Sequence, residues 1–292
     1  MKAQQTSRTA QYMAFFRALE TKRPAPKRLF TDVYAANFLD AGLKLAVNIS
    51  AIGGFRKMVT NFIQKKIPGA LSSGVARTKY IDDLLQKTLR AEVQQVLILG
   101  VGFDTRAFRL SFLANTPVIE IDHPNTSNFK QAVFKRHGGE VFKNVTYCQI
   151  DFNTQSLSEL AEQHGIDFTL PTTVIWEGVT NYLTAEAVTE TFKFISSFAN
   201  NSFVIFTYVH QDVLTNPSRF LGAEKLLADL DKIEERWTFG LQPAHVAEYL
   251  QQFGLNLSED MGADDYRNKY LPERTEKGYE FYRVAFAKKV DV

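Results

Sequence analysis

Thiols are almost missing from this chain: its 292 residues contain one cysteine, Cys148. A single sulfur excludes an intrachain disulfide and a thiolate metal cluster, and its place inside "VTYCQIDF" predicts a buried strand thiol in a reducing, cytoplasmic setting. A dominant charge sign is missing too. With 34 basic against 32 acidic residues the formal balance is +2, which gives no reason to expect nucleic acid or an anionic membrane as a partner. No window approaches the ~18 apolar residues of a transmembrane helix, and the opening "MKAQQTSRTAQ" has no apolar h-region, so a soluble protein that is not secreted is expected. The 5 histidines form no HExxH pattern, which leaves a metal site without sequence support. Repeats and low-complexity tracts are absent as well.

What is present is a βαβ series. From residue 93 onward, short β-rich runs alternate with helical patterns: "VQQVLILG" (93–100), "TPVIEID" (116–122), "VTYCQID" (145–151), "TTVIWEG" (172–178) and "SFVIFTYV" (202–209). That alternation predicts a parallel sheet covered on both faces. A weak strand near "LNLSED" and a clear one in "YEFYRVAFAKK" follow, joined by turn-rich sequence, and predict a seven-strand sheet with a reversed last strand. Residues 1–90 read as a helical cap, residues 91–292 as the main domain of the same structural unit, and about 210–240 as a lid insertion. In the cap, "YMAFFRALE" puts Tyr12, Phe15, Phe16 and Leu19 on one face, and "FRKMVTNFIQKK" does the same with Phe55, Met58, Val59, Phe62 and Ile63. Both faces are expected against the sheet, and the basic side of the second segment is read as a solvated face in preference to a membrane-surface helix.

Ligands of an open parallel sheet bind outside the carboxyl ends of its strands. Four acids stand there: Asp104, Asp122, Asp151 and Glu177. Asp122 lies 20 residues after Gly102, the distance at which dinucleotide folds place the acid that holds ribose hydroxyls. Adenosine is common to nicotinamide dinucleotides and S-adenosylmethionine, so the glycine loop has to separate them. In "LGVGFDTRAF", Gly100 and Gly102 are followed by Phe103 and Asp104, and the third glycine of a pyrophosphate loop is replaced by Thr105. An acid repels pyrophosphate but suits an ammonium or sulfonium. The loop therefore reads as one for S-adenosyl-L-methionine, with a nicotinamide-dependent oxidoreductase and a non-catalytic S-adenosylmethionine-binding protein as alternatives. Each acid also has a plainer role open to it: Asp104 as a helix N-cap, Asp151 as a cap on the helix in "DFNTQSLSEL", Glu177 as a turn acceptor.

The pieces "SRTA" (7–10), "FFRALE" (15–20), "LFTDVYAANFL" (29–39), "ARTKYIDD" (76–83), "LGVGFDTRAFRL" (99–110), "EIDHP" (120–124), "DFN" (151–153), "EGVTNYL" (177–183) and "FGL" (239–241) together resemble the leucine carboxyl methyltransferase family, especially its bacterial small-molecule branch. The resemblance implies an α/β class I (Rossmann-like) methyltransferase with a helical lid. It implies roles residue by residue: Arg77 for the cofactor's methionine carboxylate, Gly100 and Gly102 for the loop, Asp122 for the ribose, Asp151 with Phe152 for adenine, and Glu177 near the methionine end.

The reaction expected is methyl transfer to a carboxylate or hydroxyl of a small-molecule acceptor. A carboxylate is already ionised and needs no general base. For a hydroxyl, His210, just past the fifth strand, is the nearest candidate base, while His123, Tyr182 and Trp237 carry no catalytic assignment.

Overall fold

The computed structural model describes residues 7–137, 143–151 and 155–290. Four helices come first: α1 (Arg8–Thr21), α2 (Ala41–Ile49), α3 (Gly53–Lys66) and α4 (Ala70–Leu89). The alternating part then runs β1 (Gln95–Leu99), α5 (Arg106–Arg109), β2 (Val118–Asp122), α6 (Pro124–Arg136), β3 (Val145–Gln149), α7 (Leu157–His164), β4 (Thr172–Trp176), α8 (Ala185–Ser196) and β5 (Phe203–Val209). After β5 come α9 (Asp212–Thr215) and α10 (Ala223–Lys232), then α11 (Val246–Gln251), β6 (Leu255–Gly262), α12 (Ala263–Tyr270) and β7 (Tyr282–Lys289).

The seven strands form one sheet in the order β3-β2-β1-β4-β5-β7-β6. Every pairing from β3 to β5 is parallel, and β7 runs antiparallel to both its neighbours, so β7 alone is reversed. The connection from β6 to β7 differs from expectation: α12 occupies it, where the sequence predicts only turns. Gly262 and Asp265 start that helix, the Asp265 carboxylate accepting the Gly262 N–H at 2.8 Å.

Both sheet faces are covered because successive strand residues point opposite ways. Val96 and Ile98 of β1 join a core with the buried sides of α1 and α4, whereas Leu97 and Leu99 join a second core with α7, α8 and α11. Cys148 sits in the second core, and burial pushes its thiol up to about 11. The helices on that side are locally well specified; α7 opens on a Ser156–Glu159 capping box and closes on Gly165 in the left-handed region.

The first four helices do not follow the amphipathic reading throughout. Phe15, Phe16 and Leu19 are buried as expected, but α3 buries only Val59 and Ile63 and leaves Phe55, Met58 and Phe62 in solvent. α4 is buried nearly all round, and Gly74 in it gives α1 room: a Cβ there would lie 3.0 Å from the Phe16 ring and 3.3 Å from Met13 Cε. This close crossing brings α1 over the carboxyl end of the sheet.

Candidate cofactor site

β1 ends in the loop whose glycines both take positive φ, +63° at Gly100 and +53° at Gly102. Gly100 is required twice over, since a Cβ there would also sit 2.4 Å from Val179 Cγ2. The loop folds back so that the Gly102 N–H donates to Asp122 Oδ2 at 2.5 Å, while the His123 N–H donates to Oδ1 at 2.6 Å. The 20-residue spacing thus corresponds to a direct hydrogen bond. Burial raises the Asp122 pKa above its ordinary value, and those two N–H groups only partly offset it. Asp122 holds no salt bridge among the described residues, which leaves it a carboxylate with acceptor capacity to spare.

Asp122 borders a narrow cleft lined by Val101, Gly102, Glu120, Ser127, Lys130 and Tyr147. Lys130 Nζ donates to Glu120 Oε2 at 2.8 Å with both side chains buried, and Glu120 Oε1 has no partner among the described residues. Asp151 stands just beyond β3, beside this acid: the Ile150 N–H donates to the Asp122 carbonyl at 3.0 Å. Phe152 lies outside the described residues.

Arg77 and Glu177, a hundred residues apart, meet directly. Arg77 Nε donates to Glu177 Oε1 at 2.8 Å, its guanidinium lies 4.5 Å over the Tyr282 ring, and its Nη2 is 3.3 Å from Met13 Sδ. Glu177 Oε2 accepts from Arg106 Nη1 at 2.8 Å. Arg106 also donates from Nε to Asp82 at 2.8 Å and from Nη1 to Asp104. Arg109 holds Asp82 with two bonds, of 2.7 and 2.8 Å. Arg17 Nε donates to Asp32 Oδ2 at 2.8 Å, and the Thr105 hydroxyl donates to the same oxygen at 2.6 Å.

Arg109 Nε lies 4.0 Å from Asp32, so four guanidiniums and four carboxylates form one largely buried, charge-balanced group. Burial alone would raise the acids, but the charges of Arg106, Lys130 and Arg17 together outweigh it at Asp104, held at about 2, and Arg106 with Arg77 keeps Glu177 below its ordinary value. Asp104 does bond a helix start, accepting the Arg106 N–H at 2.6 Å, although Thr105 occupies the cap position itself. Glu177 is no turn acceptor alone.

Sequence reasoning named Arg77, Asp104 and Glu177 but missed Arg17, Asp32, Asp82, Arg106 and Arg109. Arginine is normally solvated, so periodicity gives no sign of its burial. The available signal was that "FFRALE", "LFTDVYAANFL", "ARTKYIDD" and "FDTRAFRL" each contribute one or more members.

On the side of β4 and the 210–240 segment, the Tyr182 hydroxyl donates to Thr9 Oγ1 at 3.4 Å, and burial pushes its pKa up to about 12. Asn181 is 1% exposed, and neither amide atom of its side chain has a partner among the described residues. Trp237 packs with Phe281 and Tyr282. His210 Nδ1 accepts the Asp212 N–H at 3.2 Å, while burial, aided by Arg219 and Arg283, lowers its pKa. An accepting Nδ1 puts the neutral ring's proton on Nε2. His123 Nδ1 is likewise used, accepting the Asn125 N–H at 3.2 Å at the start of α6.

Residues 10–196 match the family model for leucine carboxyl methyltransferase. A protein of Mycobacterium tuberculosis (strain ATCC 25177 / H37Ra) named "Putative S-adenosyl-L-methionine-dependent methyltransferase" is 27% identical over 266 residues, 86% of this chain and 83% of its own. A protein of the same name from Mycobacteroides abscessus is 29% identical over 232 residues, 77% of this chain and 68% of its own. Among solved structures, a "putative methyltransferase" from Thermobifida fusca YX aligns with a TM-score of 0.59 at 16% identity, covering 94% of this chain and 97% of that one. A DUF574 family protein from Streptomyces avermitilis MA-4680 aligns at 0.60 and 12%, covering 93% and 100%.

The structural likenesses identify the fold as the class I, Rossmann-like methyltransferase sheet. The family match sets aside both the dinucleotide oxidoreductase and the non-catalytic reading. Asp122, a partly buried acid with no salt bridge among the described residues, stands beside a loop in which Gly100 has no room for a side chain. Matched over residues 10–196, the chain belongs to the leucine carboxyl methyltransferase family and is an S-adenosylmethionine-dependent methyltransferase.

Proposed function

We propose that the enzyme methylates an oxygen of a small molecule, and that this oxygen belongs to a carboxylate. The observation that supports this is the state of His210. Its Nδ1 lone pair is taken by the Asp212 N–H, so the neutral ring has no free lone pair with which to deprotonate a hydroxyl. Tyr182, raised to about 12, is a poor base near neutral pH. A carboxylate arrives already ionised and needs neither.

Asp122 would hold the ribose hydroxyls, with Gly100 and Gly102 giving the backbone room to approach. Asp151 and Phe152 are assigned to adenine, and Arg77 and Glu177 to the methionine end. When bound, S-adenosylmethionine supplies a sulfonium methyl that passes to the acceptor oxygen as its carbon–sulfur bond breaks. The protein's own contribution is position and exclusion of water. Arg77 keeps its charge because Glu177 and Tyr282 favour the guanidinium against burial. Asn181, buried with its amide unpartnered, is the side chain on the β4 side best able to give N–H bonds to an acceptor carboxylate.

The test is a titration with S-adenosylhomocysteine, followed by a screen of carboxylic acids and phenols with product detection by mass spectrometry. The expected result is methyl ester formation that His210→Ala leaves within about threefold, since a lost general base would cost roughly 10²–10⁴-fold. Methylation of phenols alone, lost in His210→Ala, would overturn the carboxylate reading.

A further inference from the structure

α3 packs against α4 through Val59 and Ile63. Beside that buried strip runs a second one. Phe55, Met58 and Phe62, spaced three and four residues apart, are 47%, 55% and 63% exposed. Leu45 of α2 and Ile52, just before α3, are exposed as well. At the other end of α3, Leu221 is exposed next to Gly222, which lies against Pro68, and Lys225 Nζ donates to the Lys66 carbonyl at 3.1 Å. A soluble surface rarely leaves so many large apolar side chains together without a use.

The charge around this strip is one-sided. Residues 41–81 contain no aspartate or glutamate, while Lys44, Arg56, Lys57, Lys65 and Lys66 lie on α2 and α3. Lys57, Lys65 and Lys66 are exposed, and Lys66 Nζ lies 5.7 Å over the Phe62 ring. The acids of the helices packed nearest are engaged elsewhere: Asp82 by Arg106 and Arg109, Asp83 by Lys79 and Tyr270, Glu20 by Arg23 and the Leu29 N–H.

We propose that α3 seats the protein on an anionic lipid surface, with Phe55, Met58 and Phe62 entering the headgroup layer and Lys57, Lys65 and Lys66 against the lipid phosphates. Aromatic and aliphatic side chains flanked by lysines on one helix are what interfacial binding uses. A second copy of the chain is a poor occupant, because a two-fold interface would set this patch on itself and bring the cations of α3, which carries no acid of its own, together. Protein partners receive anchors in pockets, whereas side chains about half exposed or more along one helix make a ridge.

The experiment is flotation of the purified full-length protein with vesicles of equal parts phosphatidylglycerol and phosphatidylcholine, and with phosphatidylcholine alone. Binding to the anionic vesicles that weakens as salt is added is the expected result. Phe55→Ser with Phe62→Ser lowers that binding roughly tenfold or more, and Lys57→Glu with Lys65→Glu removes the preference for phosphatidylglycerol. Both variants keep the wild-type affinity for S-adenosylhomocysteine, which shows that they are folded. No binding, equal binding to neutral vesicles, or binding unaffected by the paired phenylalanine variant overturns the proposal. So does self-association in sedimentation that depends on Phe55 and Phe62 and is unaccompanied by vesicle binding.

Discussion

At the scale of single residues, Asp122 separates itself from Asp104 and Glu177 by its pKa. Arg106 and Arg77 hold Asp104 and Glu177 down, whereas burial leads at Asp122 and moves it up. Hydroxyl donors favour the ionised form, so on the proposed ribose role of Asp122 cofactor binding should pull its pKa back down and release the proton of any protonated fraction. Affinity for S-adenosylhomocysteine should therefore fall as pH drops through the raised value. Asp122→Asn should weaken binding at neutral pH by roughly 10–100-fold, the worth of hydrogen bonds to a charged group, and flatten the profile. Calorimetric titration across the acid range checks both, and an unchanged slope in the variant would move the proton to another group. Glu120, also raised by burial, is the first alternative.

Among the elements, α1 governs access. Its first turns reach across the site: Ala10 Cβ lies 3.4 Å from where a Gly102 Cβ would be, Met13 Sδ lies 3.3 Å from Arg77 Nη2, and the Arg8 N–H donates to Glu235 Oε1 at 2.9 Å. Because these turns touch both the glycine loop and Arg77, they are expected to shift when a ligand spans Asp122 and Arg77. Hydrogen exchange over residues 8–16 should slow on saturation with S-adenosylhomocysteine, and unchanged exchange would mean entry by another route. The sheet was readable in advance because parallel strands buried on both faces are continuous apolar runs. The helices were readable only as periods. In α3 the buried Val59 and Ile63 sit next to Phe55, Met58 and Phe62 on one broad apolar stripe, and a period says which side chains share a stripe, not how much of it meets protein. The β6–β7 connection hid α12 because "ADDYRNKY" is polar, the composition of a turn as much as of a surface helix.

Across the whole molecule, the buried ion pairs tie the amino-terminal helices to the sheet: Arg17 comes from α1, Asp82 from α4, Arg106 and Arg109 from α5, and Glu177 follows β4. Nothing in the composition exposes this, because the four cations and four acids cancel. Arg106 is the hub, and Arg106→Met leaves Asp104 without its salt bridge while Glu177 keeps Arg77 and Asp82 keeps Arg109. Removing one partner of a buried pair costs about 3–5 kcal/mol, and adding Asp104→Asn should return part of it. The pH dependence tells charge from packing. In the wild type, Asp104 and Glu177 are held below their unfolded values, so their contribution is complete above about pH 4.5 and is lost as pH falls towards 2. In Arg106→Met the largest opposition to burial at Asp104 is lost while Lys130 and Arg17 remain, and its folded pKa is expected to rise above the unfolded one. Its penalty is then present at neutral pH and fades on acidification. Thermal melts should show the two proteins converging between about pH 6 and pH 3, and a gap that stays constant would assign the loss to the missing side-chain volume.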